Sequence, residues 1–120
     1  NFCLNEIIND EKLIINFSSI NSKGVCGQAA YSSGKSAIET FSRVLSQELG
    51  FLKIRVVCIA PGYFDLASTN RNLSKNNKAS IINETPLRRF GKIKELIKAI
   101  NFIISNKFFN GKTLKIDGGL

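Results

Sequence analysis

Apolar residues along the chain fall into three short runs and two longer segments of helical spacing. The runs Leu13–Phe17, Ile54–Ala60 and Thr113–Ile116 have the length of strands, and the first has no polar alternation, as in a parallel sheet whose two faces are both covered. Helical periodicity extends from about Ala30 to Leu49 and from Lys94 to about Ser105. The order strand, helix, strand, helix, strand predicts right-handed crossovers and an α/β fold with a parallel sheet.

Each predicted helix has a stripe of apolar residues that we expect to face the sheet. In the first helix, which Gly50 would cap, the stripe consists of Ile38, Phe41, Leu45 and Leu49. In the second helix it consists of Leu96, Ile97, Ile100, Ile103 and Ile104. The spacing within Phe2 to about Asn9 also indicates the back end of a further helix.

The stretch between the second strand and the second helix is polar. Residues Tyr63–Ser80 are rich in Asn, Ser and Lys, which predicts a mobile loop or lid with weak structure at best. Thr85–Gly91 reads as an irregular connector. Three strands and two long helices make a thin domain, so the predicted sheet resembles half of a larger one.

Composition and charge exclude several classes of protein. The 120 residues have a net charge of +8, but the cations are scattered and the chain is biased towards Lys, Asn and Ile, so we expect no nucleic-acid partner. No apolar run is long enough to span a bilayer, and we expect no membrane partner. The amino terminus does not resemble a signal peptide, which favours a cytoplasmic location. A chain that begins at Asn1 and contains no Met suggests a fragment or a processed protein.

The residue types available for catalysis are restricted. The chain contains no His, which excludes Ser-His-Asp and Cys-His nucleophilic catalysis and His-bearing metal sites. Cys3, Cys26 and Cys58 have the spacing of neither a disulfide framework nor a metal site, so free thiols are expected and no metal is predicted. Any proton shuttle must therefore use Tyr, Lys or a carboxylate.

The acid–base candidates lie where the first strand ends. Tyr31 and Lys35 are four residues apart at the start of the first helix, so they share one face. The Lys35 ammonium favours the phenolate form of Tyr31, which makes the pair suitable for proton transfer. Ser19, at the junction of strand and loop, has a hydroxyl that could hydrogen-bond a carbonyl oxygen. Each of these side chains also has an ordinary structural explanation, such as packing, solvation or satisfying loop backbone groups.

Taken together, five segments resemble the classical short-chain dehydrogenase/reductase family, with the nearest likeness to its beta-ketoacyl-acyl carrier protein reductases. The family's strand that ends in the catalytic Ser is matched by LIINFSSI, and its Tyr-x-x-x-Lys helix start by GQAAYSSGKSAI. The next strand with its Pro-Gly turn is matched by IRVVCIAPGYFD. The last two segments are matched by TPLRRFGKIKELIKAINFIIS and FFNGKTLKIDGGL.

The resemblance implies a parallel-sheet, Rossmann-like three-layer fold and an NAD- or NADP-dependent oxidoreductase acting on a small carbonyl or alcohol. It implies that Tyr31 is the general acid or base, that Lys35 binds the nicotinamide ribose, and that Ser19 binds the substrate oxygen. The Pro-Gly turn would face the nicotinamide carboxamide through Pro61, Gly62, Tyr63 and Phe64. It also implies a homo-oligomer, either a dimer or a tetramer.

Three departures from the family pattern qualify this picture. Ser19 lies twelve residues before Tyr31, one fewer than is usual in the family, so Ser18 is the alternative to the preferred Ser19. Leu66 stands where the family commonly has a cofactor-binding Thr. No Gly-rich strand–turn–helix occurs, so residues 1–120 are interpreted as the carboxyl-terminal part of one domain whose dinucleotide-binding half is missing. The competing hypotheses are a catalytically incomplete association module and an anion- or nucleic-acid-binding domain.

Overall fold

Three parallel strands form the centre of the part of the protein that the structure describes. The computed structural model describes residues 11–66 and 73–120. Strands β1 (Lys12–Phe17), β2 (Ile54–Pro61) and β3 (Thr113–Ile116) lie in the order β1-β2-β3. Both pairings are parallel, with Asn16 beside Cys58 and Cys58 beside Thr113. The predicted α/β class, the parallel sheet and the half-sized, Rossmann-like arrangement are therefore confirmed.

Within the described ranges, three α-helices connect and cover the strands. Helix α1 (Ala29–Leu49) follows β1, whereas α2 (Lys75–Glu84) and α3 (Ile93–Ser105) lie between β2 and β3. A short 3-10 helix, Gly50–Leu52, extends α1 and ends at Lys53, whose φ of 58° lies in the left-handed region. None of the helices in the described ranges is long and apolar enough to cross a membrane. The predicted helix at Phe2–Asn9 lies outside the described residues.

Strand β2 is the most buried element. Each residue from Val56 to Ala60 is fully buried, because α1 packs on one face of the sheet and α3 on the other. The Val57 and Ile59 side chains meet Ile103 of α3 in the core. Burial raises the pKa of the Cys58 thiol, so this side chain acts as a small apolar core residue.

Helix α1 packs against the sheet through serines, and the predicted apolar stripe is wrong at Phe41. Its buried residues are Ser32, Ser42 and Ser46, whereas the Phe41 side chain is 59% exposed. Gly111 accounts for part of this arrangement. Because it has no side chain, it leaves room for the Ser46 hydroxyl, with which a Cβ at this position would collide. Small side chains at these positions let the helix approach the sheet closely.

The face of α3 differs from the prediction at two positions. Ile103 is buried and Leu96 and Ile100 pack against the core, as predicted. Ile97 and Ile104 were wrongly placed inward, because their side chains are 48% and 50% exposed. These two residues lie seven apart and share one face of the helix, which is turned away from the core stripe.

The segment after β2 is more regular than predicted. The prediction of weak structure over Tyr63–Ser80 is wrong from Lys75 onwards, where α2 begins. Ser74 is the N-cap of this helix, and its hydroxyl accepts a hydrogen bond from the Asn77 N–H at 3.2 Å. The apolar stripe of α2 is too weak to mark it as a helix, whereas its Ser cap is a local signal that sequence analysis could have used.

Strand β1 is only partly covered by the described residues. Its Ile14 and Phe17 side chains are 37% and 43% exposed, although the apolar run predicts two covered faces. Among the described strands, β1 pairs only with β2, so its other edge is open to further pairing.

A buried guanidinium ties β2 to the end of α3. Arg55 lies in β2, its side chain is 8% exposed, and its Nη1 donates hydrogen bonds of 3.0–3.1 Å to the carbonyl oxygens of Ile103, Asn106 and Phe109. Its Nε lies 3.2 Å from a carboxylate oxygen of Glu11. A side chain of the sheet thereby supplies donors to the Ile103 carbonyl, in the last turn of α3, and to two carbonyl groups of the segment that follows the helix.

Candidate active site

The carboxyl ends of the three strands meet at one edge of the sheet. Strand β1 runs into Ser18, β2 into Gly62 and β3 into Asp117. The Ser18 N–H donates to the Ile59 carbonyl at 2.8 Å, and the Gly62 N–H donates to the Ile116 carbonyl at 2.8 Å. These bonds hold the strand ends together at the edge where open parallel sheets bind their ligands.

The two candidate serines have different surroundings. Ser18 is 4% exposed, and its hydroxyl oxygen lies 2.7 Å from a carboxylate oxygen of Glu39 and 3.0 Å from the Lys35 carbonyl. Ser19 is half-buried, and its Oγ accepts a hydrogen bond of 3.2 Å from the Asn21 N–H. The Ser18 hydroxyl therefore joins α1 to β1, whereas the Ser19 hydroxyl has a proton to donate to a further acceptor.

Tyr31 and Lys35 lie together in the first turns of α1. Tyr31 is 50% exposed, and the Lys35 Nζ lies 5.7 Å from the centre of its ring, within the range of a cation–π contact. The same Nζ donates a hydrogen bond of 3.0 Å to the carbonyl oxygen of Phe17, the last residue of β1. The ammonium is thus held between the end of the strand and the face of the phenol.

The loop between Ser19 and Tyr31 folds back on α1. It begins with a 3-10 helix, Ile20–Lys23, for which Ser19 is the N-cap. The Asn21 amide donates to the Gln28 side chain at 3.1 Å, and the Val25 N–H donates to the Ser32 hydroxyl at 3.3 Å. These bonds keep the strand exit close to the start of the helix.

The Pro-Gly turn is packed against the end of β3. Pro61 is the last residue of β2 and Gly62 follows it. A Cβ at Gly62 would lie 2.7 Å from the Cα of Asp117, so this position has no room for a side chain. The close approach explains why the turn needs glycine, independently of any ligand.

The backbone after the turn is fixed by the connector that precedes α3. The Gly91 N–H donates to the Tyr63 carbonyl at 2.9 Å, and the Asp65 N–H donates to the Gly91 carbonyl at 2.8 Å. The Phe64 side chain is 5% exposed, and a Cβ at Gly91 would lie 2.7 Å from its ring. Phe64 therefore contributes its side chain to the core, and only its backbone is available for a ligand.

A cavity of about 120 Å³ lies beside this backbone and contains an ion pair that sequence reasoning missed. Two bonds of 2.7 and 2.8 Å join the guanidinium of Arg89 to the carboxylate of Glu95. Arg89, together with the Lys92 N–H, lowers the pKa of Glu95 to about 2. The cavity is lined by Tyr63, Phe64, Leu87, Arg89, Gly91, Glu95, Ile116, Asp117 and Gly118.

The cavity does not include the acid–base residues. Tyr31 and Lys35 are absent from its lining, so it is a small crevice on the β2–β3 side of the same edge. It is also smaller than the several hundred Å³ of a typical small-molecule site. Within residues 11–66 and 73–120, no cluster of His, Cys, Asp and Glu side chains could hold a metal ion.

Sequence comparisons relate the chain to reductases described as acting on groups carried by acyl carrier protein. A family model described as enoyl-(acyl carrier protein) reductase matches residues 3–120. A 3-oxoacyl-(acyl-carrier-protein) reductase from Chlamydia muridarum is 41% identical over 110 residues, which are 89% of this chain and 44% of that protein. A reductase of the same description from Buchnera aphidicola is 35% identical over 119 residues, 97% of this chain and 48% of that protein. The chain thus spans less than half the length of these relatives.

Structural comparison gives the same relationship. The crystal structure of a short-chain dehydrogenase/reductase from Brucella melitensis superposes with a TM-score of 0.82 at 31% sequence identity. The match covers 92% of this chain and 45% of that protein. Because the family model extends over nearly all of the sequence and the fold agrees, the chain belongs to the short-chain dehydrogenase/reductase family.

Proposed function

We propose that this chain supplies the proton-transfer part of an NAD(P)-dependent oxidoreductase that interconverts a carbonyl and a secondary alcohol. The observation that carries the proposal is the position of the Lys35 Nζ, 5.7 Å from the Tyr31 ring and bonded to the Phe17 carbonyl. This places a phenol and an ammonium at the strand end that also bears Ser19. The names of the relatives support a 3-oxoacyl thioester as the first substrate to test.

The residues at this edge fit the nicotinamide half of NAD or NADP. Lys35 has three N–H donors, and the bond to Phe17 uses one, so two remain for the neighbouring hydroxyls of a ribose. The backbone from Gly62 to Phe64 is suited to a carboxamide, which needs both donors and acceptors. When bound, the nicotinamide supplies or accepts the hydride. The sequence contains no Gly-rich turn for a pyrophosphate, so no residue is assigned to the adenine half.

The acid–base step follows from the chemistry of three side chains. In reduction, the Tyr31 hydroxyl donates its proton to the carbonyl oxygen as negative charge develops there, and in oxidation the phenolate takes the proton back. The Lys35 ammonium lies beside the phenol, 5.7 Å from the centre of its ring. The Ser19 hydroxyl donates a hydrogen bond to the same substrate oxygen, while its own oxygen accepts from Asn21.

We also propose that residues 1–120 form the carboxyl-terminal part of one domain whose dinucleotide-binding half adds strands along β1. Two observations support this arrangement. The outer edge of β1 has no partner among the described strands, and the apolar side chains of Ile14 and Phe17 in this strand are 37% and 43% exposed. The relatives are more than twice as long as the aligned region.

Replacement of Tyr31 tests the proposed reaction. The complete domain, including the proposed dinucleotide-binding half, is assayed by oxidation of NADPH, and separately of NADH, with a 3-oxoacyl thioester. Tyr31→Phe removes the proton donor and retains the ring, so turnover should fall by about 10²–10⁴-fold. Ser33→Ala is the matched control. Ser33 is exposed and lies two residues after Tyr31 in α1, so this variant should retain activity. Near-normal turnover by Tyr31→Phe would remove Tyr31 from the proposed mechanism.

An association module is the second candidate function. Phe41 and Val44 lie three residues apart on α1 and are 59% and 39% exposed, which leaves an apolar face without cover from the described residues. This hypothesis predicts a dimer in sedimentation that Phe41→Lys dissociates, with no change of NADPH fluorescence on titration. Binding of NADPH together with turnover would reject a purely associative role.

A further inference from the structure

The contact between β1 and α1 is made largely by hydrogen bonds. The Asn16 amide donates to the Ser42 hydroxyl at 2.9 Å, and the Ser42 hydroxyl donates to the Ile38 carbonyl at 2.7 Å. One turn nearer the start of α1, the Ser18 hydroxyl donates to Glu39 at 2.7 Å. Apolar contacts are non-directional and tolerate sliding, whereas hydrogen bonds form only over a narrow range of distance and angle. The polar contacts therefore set the axial position of α1 on β1.

Ser18 occupies a special place in this contact because both of its chain neighbours belong to the candidate active site. The carbonyl of Phe17, on one side, accepts the hydrogen bond from the Lys35 Nζ. Ser19, on the other side, provides the hydroxyl proposed to bind the substrate oxygen. Holding the buried Ser18 in place therefore holds both neighbours, and the strength of its bond to α1 matters for the geometry of the whole site.

The partner that holds Ser18 most directly is Glu39. The Ser18 hydroxyl has one proton and two acceptors nearby, at 2.7 Å for Glu39 Oε1 and 3.0 Å for the Lys35 carbonyl. A hydrogen bond from a hydroxyl to a carboxylate is charge-assisted and about twice as strong as a neutral one. Glu39 also lies four residues after Lys35, on the same face of α1.

We infer that Glu39 is a positioning residue, which acts through Ser18 to hold Lys35, Tyr31 and Ser19 in register at the end of β1. The expected effect on turnover rests on the proposed function. The expected effect on the positions of Lys35, Tyr31 and Ser19 does not. Glu39 has no role in proton transfer under this inference, because its contact is with Ser18 and not with the reacting groups.

Kinetics of three variants test the catalytic consequence. Glu39→Leu removes the acceptor and should lower kcat by about ten- to a hundredfold, with KM changed less than about threefold, because a misplacement of about 1 Å has that effect on rate. Glu39→Gln retains an acceptor oxygen and should restore most of kcat. Glu48→Leu, an exposed carboxylate on the same helix, is the control. An unchanged kcat for Glu39→Leu, alongside an inactive Tyr31→Phe, would overturn the positioning role and leave the proposed function intact.

Tyrosine NMR tests the geometry without any assay of turnover. The chain contains two Tyr residues, so a protein labelled with ¹³C at the phenolic ring carbon gives two resonances, which Tyr31→Phe assigns. Glu39→Leu and Ser18→Ala should each shift the Tyr31 resonance and leave that of Tyr63 in place, whereas Glu48→Leu should shift neither. If Glu39→Leu fails to fold, the smaller change Ser18→Ala decides. A Tyr31 resonance unmoved by Ser18→Ala or Glu39→Leu would overturn the inference, even if the protein proves not to be a reductase.

Discussion

The Lys35 Nζ donates a hydrogen bond of 3.0 Å to the carbonyl oxygen of Phe17, which ties the first turns of α1 to the last residue of β1. The bond spans 18 residues of sequence and encloses the whole loop that carries Ser19. An ammonium anchored in this way has a defined position relative to the Tyr31 ring, 5.7 Å away. The Tyr-x-x-x-Lys spacing alone places the two residues on one face of α1. The bond to Phe17 fixes that face against the end of β1.

Lys35→Met tests whether this anchored charge serves catalysis. The substitution keeps an unbranched apolar stem but removes the charge and the donors, so both the proposed ribose contact and the cation beside the Tyr31 ring should be lost. We expect kcat/KM with NADPH to fall by about a hundredfold or more, with a raised KM for the cofactor. Lys98→Met, an exposed lysine on α3, is the control and should behave like the unmodified protein. A Lys35→Met variant with unchanged kinetic constants would contradict the assigned role.

Arg55 should be among the most important side chains for stability. Replacement by Met keeps the length of the stem but leaves the carbonyl oxygens of Ile103, Asn106 and Phe109 without the donor that they share. The Arg55 side chain is only 8% exposed, so water cannot easily replace the donor that these acceptors lose. We therefore expect the free energy of unfolding to fall by about 3 kcal/mol or more. Urea denaturation followed by circular dichroism measures the change.

The matched control for this experiment is Arg43→Met, an exposed arginine on α1, which should change the free energy of unfolding by less than about 0.5 kcal/mol. Arg55→Lys should lie between the two, because an ammonium cannot reproduce the fork of donors of a guanidinium. Equal stability of Arg55→Met and Arg43→Met would mean that water replaces the lost donor.

Sequence patterns predicted the strands better than the faces of the helices. Strand β3 has the predicted bounds, and β2 extends one residue beyond them to Pro61. The Gly residues that follow, at Gly62 and at Gly118, mark where the two strands end. The error at Phe41 has a tertiary cause, since Ser42 and Ser46 face the sheet where Asn16 and Gly111 require small or polar neighbours. Hydrophobicity alone does not contain that information.

The same contrast holds for the candidate site. The spacing of Tyr31 and Lys35 is local, so it could be found in the sequence. The bond between Ser18 and Glu39 and the pair of Arg89 with Glu95 depend on how α1 and the connector pack, and no motif marks them. The sequence did show that Glu39 lies four residues after Lys35, which places the two side chains on one face of α1.

Gly62→Ala tests the close approach of the strand ends. The new Cβ would lie 2.7 Å from the backbone of Asp117, so β2 and β3 would have to separate where they lead into the site. We expect a loss of about 1–3 kcal/mol in the free energy of unfolding, as for other overpacked positions. Gly34→Ala is the control, because a Cβ there, in the second turn of α1, meets nothing within 4 Å and should stabilise the helix by about 0.5–1 kcal/mol. Destabilisation of equal size in both variants would refute the steric explanation.

The pair of Glu95 with Arg89 predicts a specific acid sensitivity. The Arg89 guanidinium lowers the pKa of Glu95 from its ordinary value of 4.5 to about 2 in the folded protein. A carboxyl whose pKa is depressed by folding stabilises the protein above its unfolded pKa, and that contribution is lost as the pH falls towards the folded value. The contribution of Glu95 should therefore be complete above about pH 5 and disappear between about pH 4.5 and pH 2.

Glu95→Gln isolates this contribution. The variant should be less stable than the unmodified protein at pH 7, and the difference should shrink as the pH is lowered through that window, because both proteins then have a neutral side chain at position 95. The pKa of Glu11 is also lowered, by Lys107 and Arg55, so both proteins should still lose some stability at acidic pH. Glu48→Gln, on the exposed face of α1, provides the control. Urea midpoints at pH 7, 5, 4 and 3 give the comparison, and a difference that stays constant across these values would show that the Arg89 pair does not depend on the charge of Glu95.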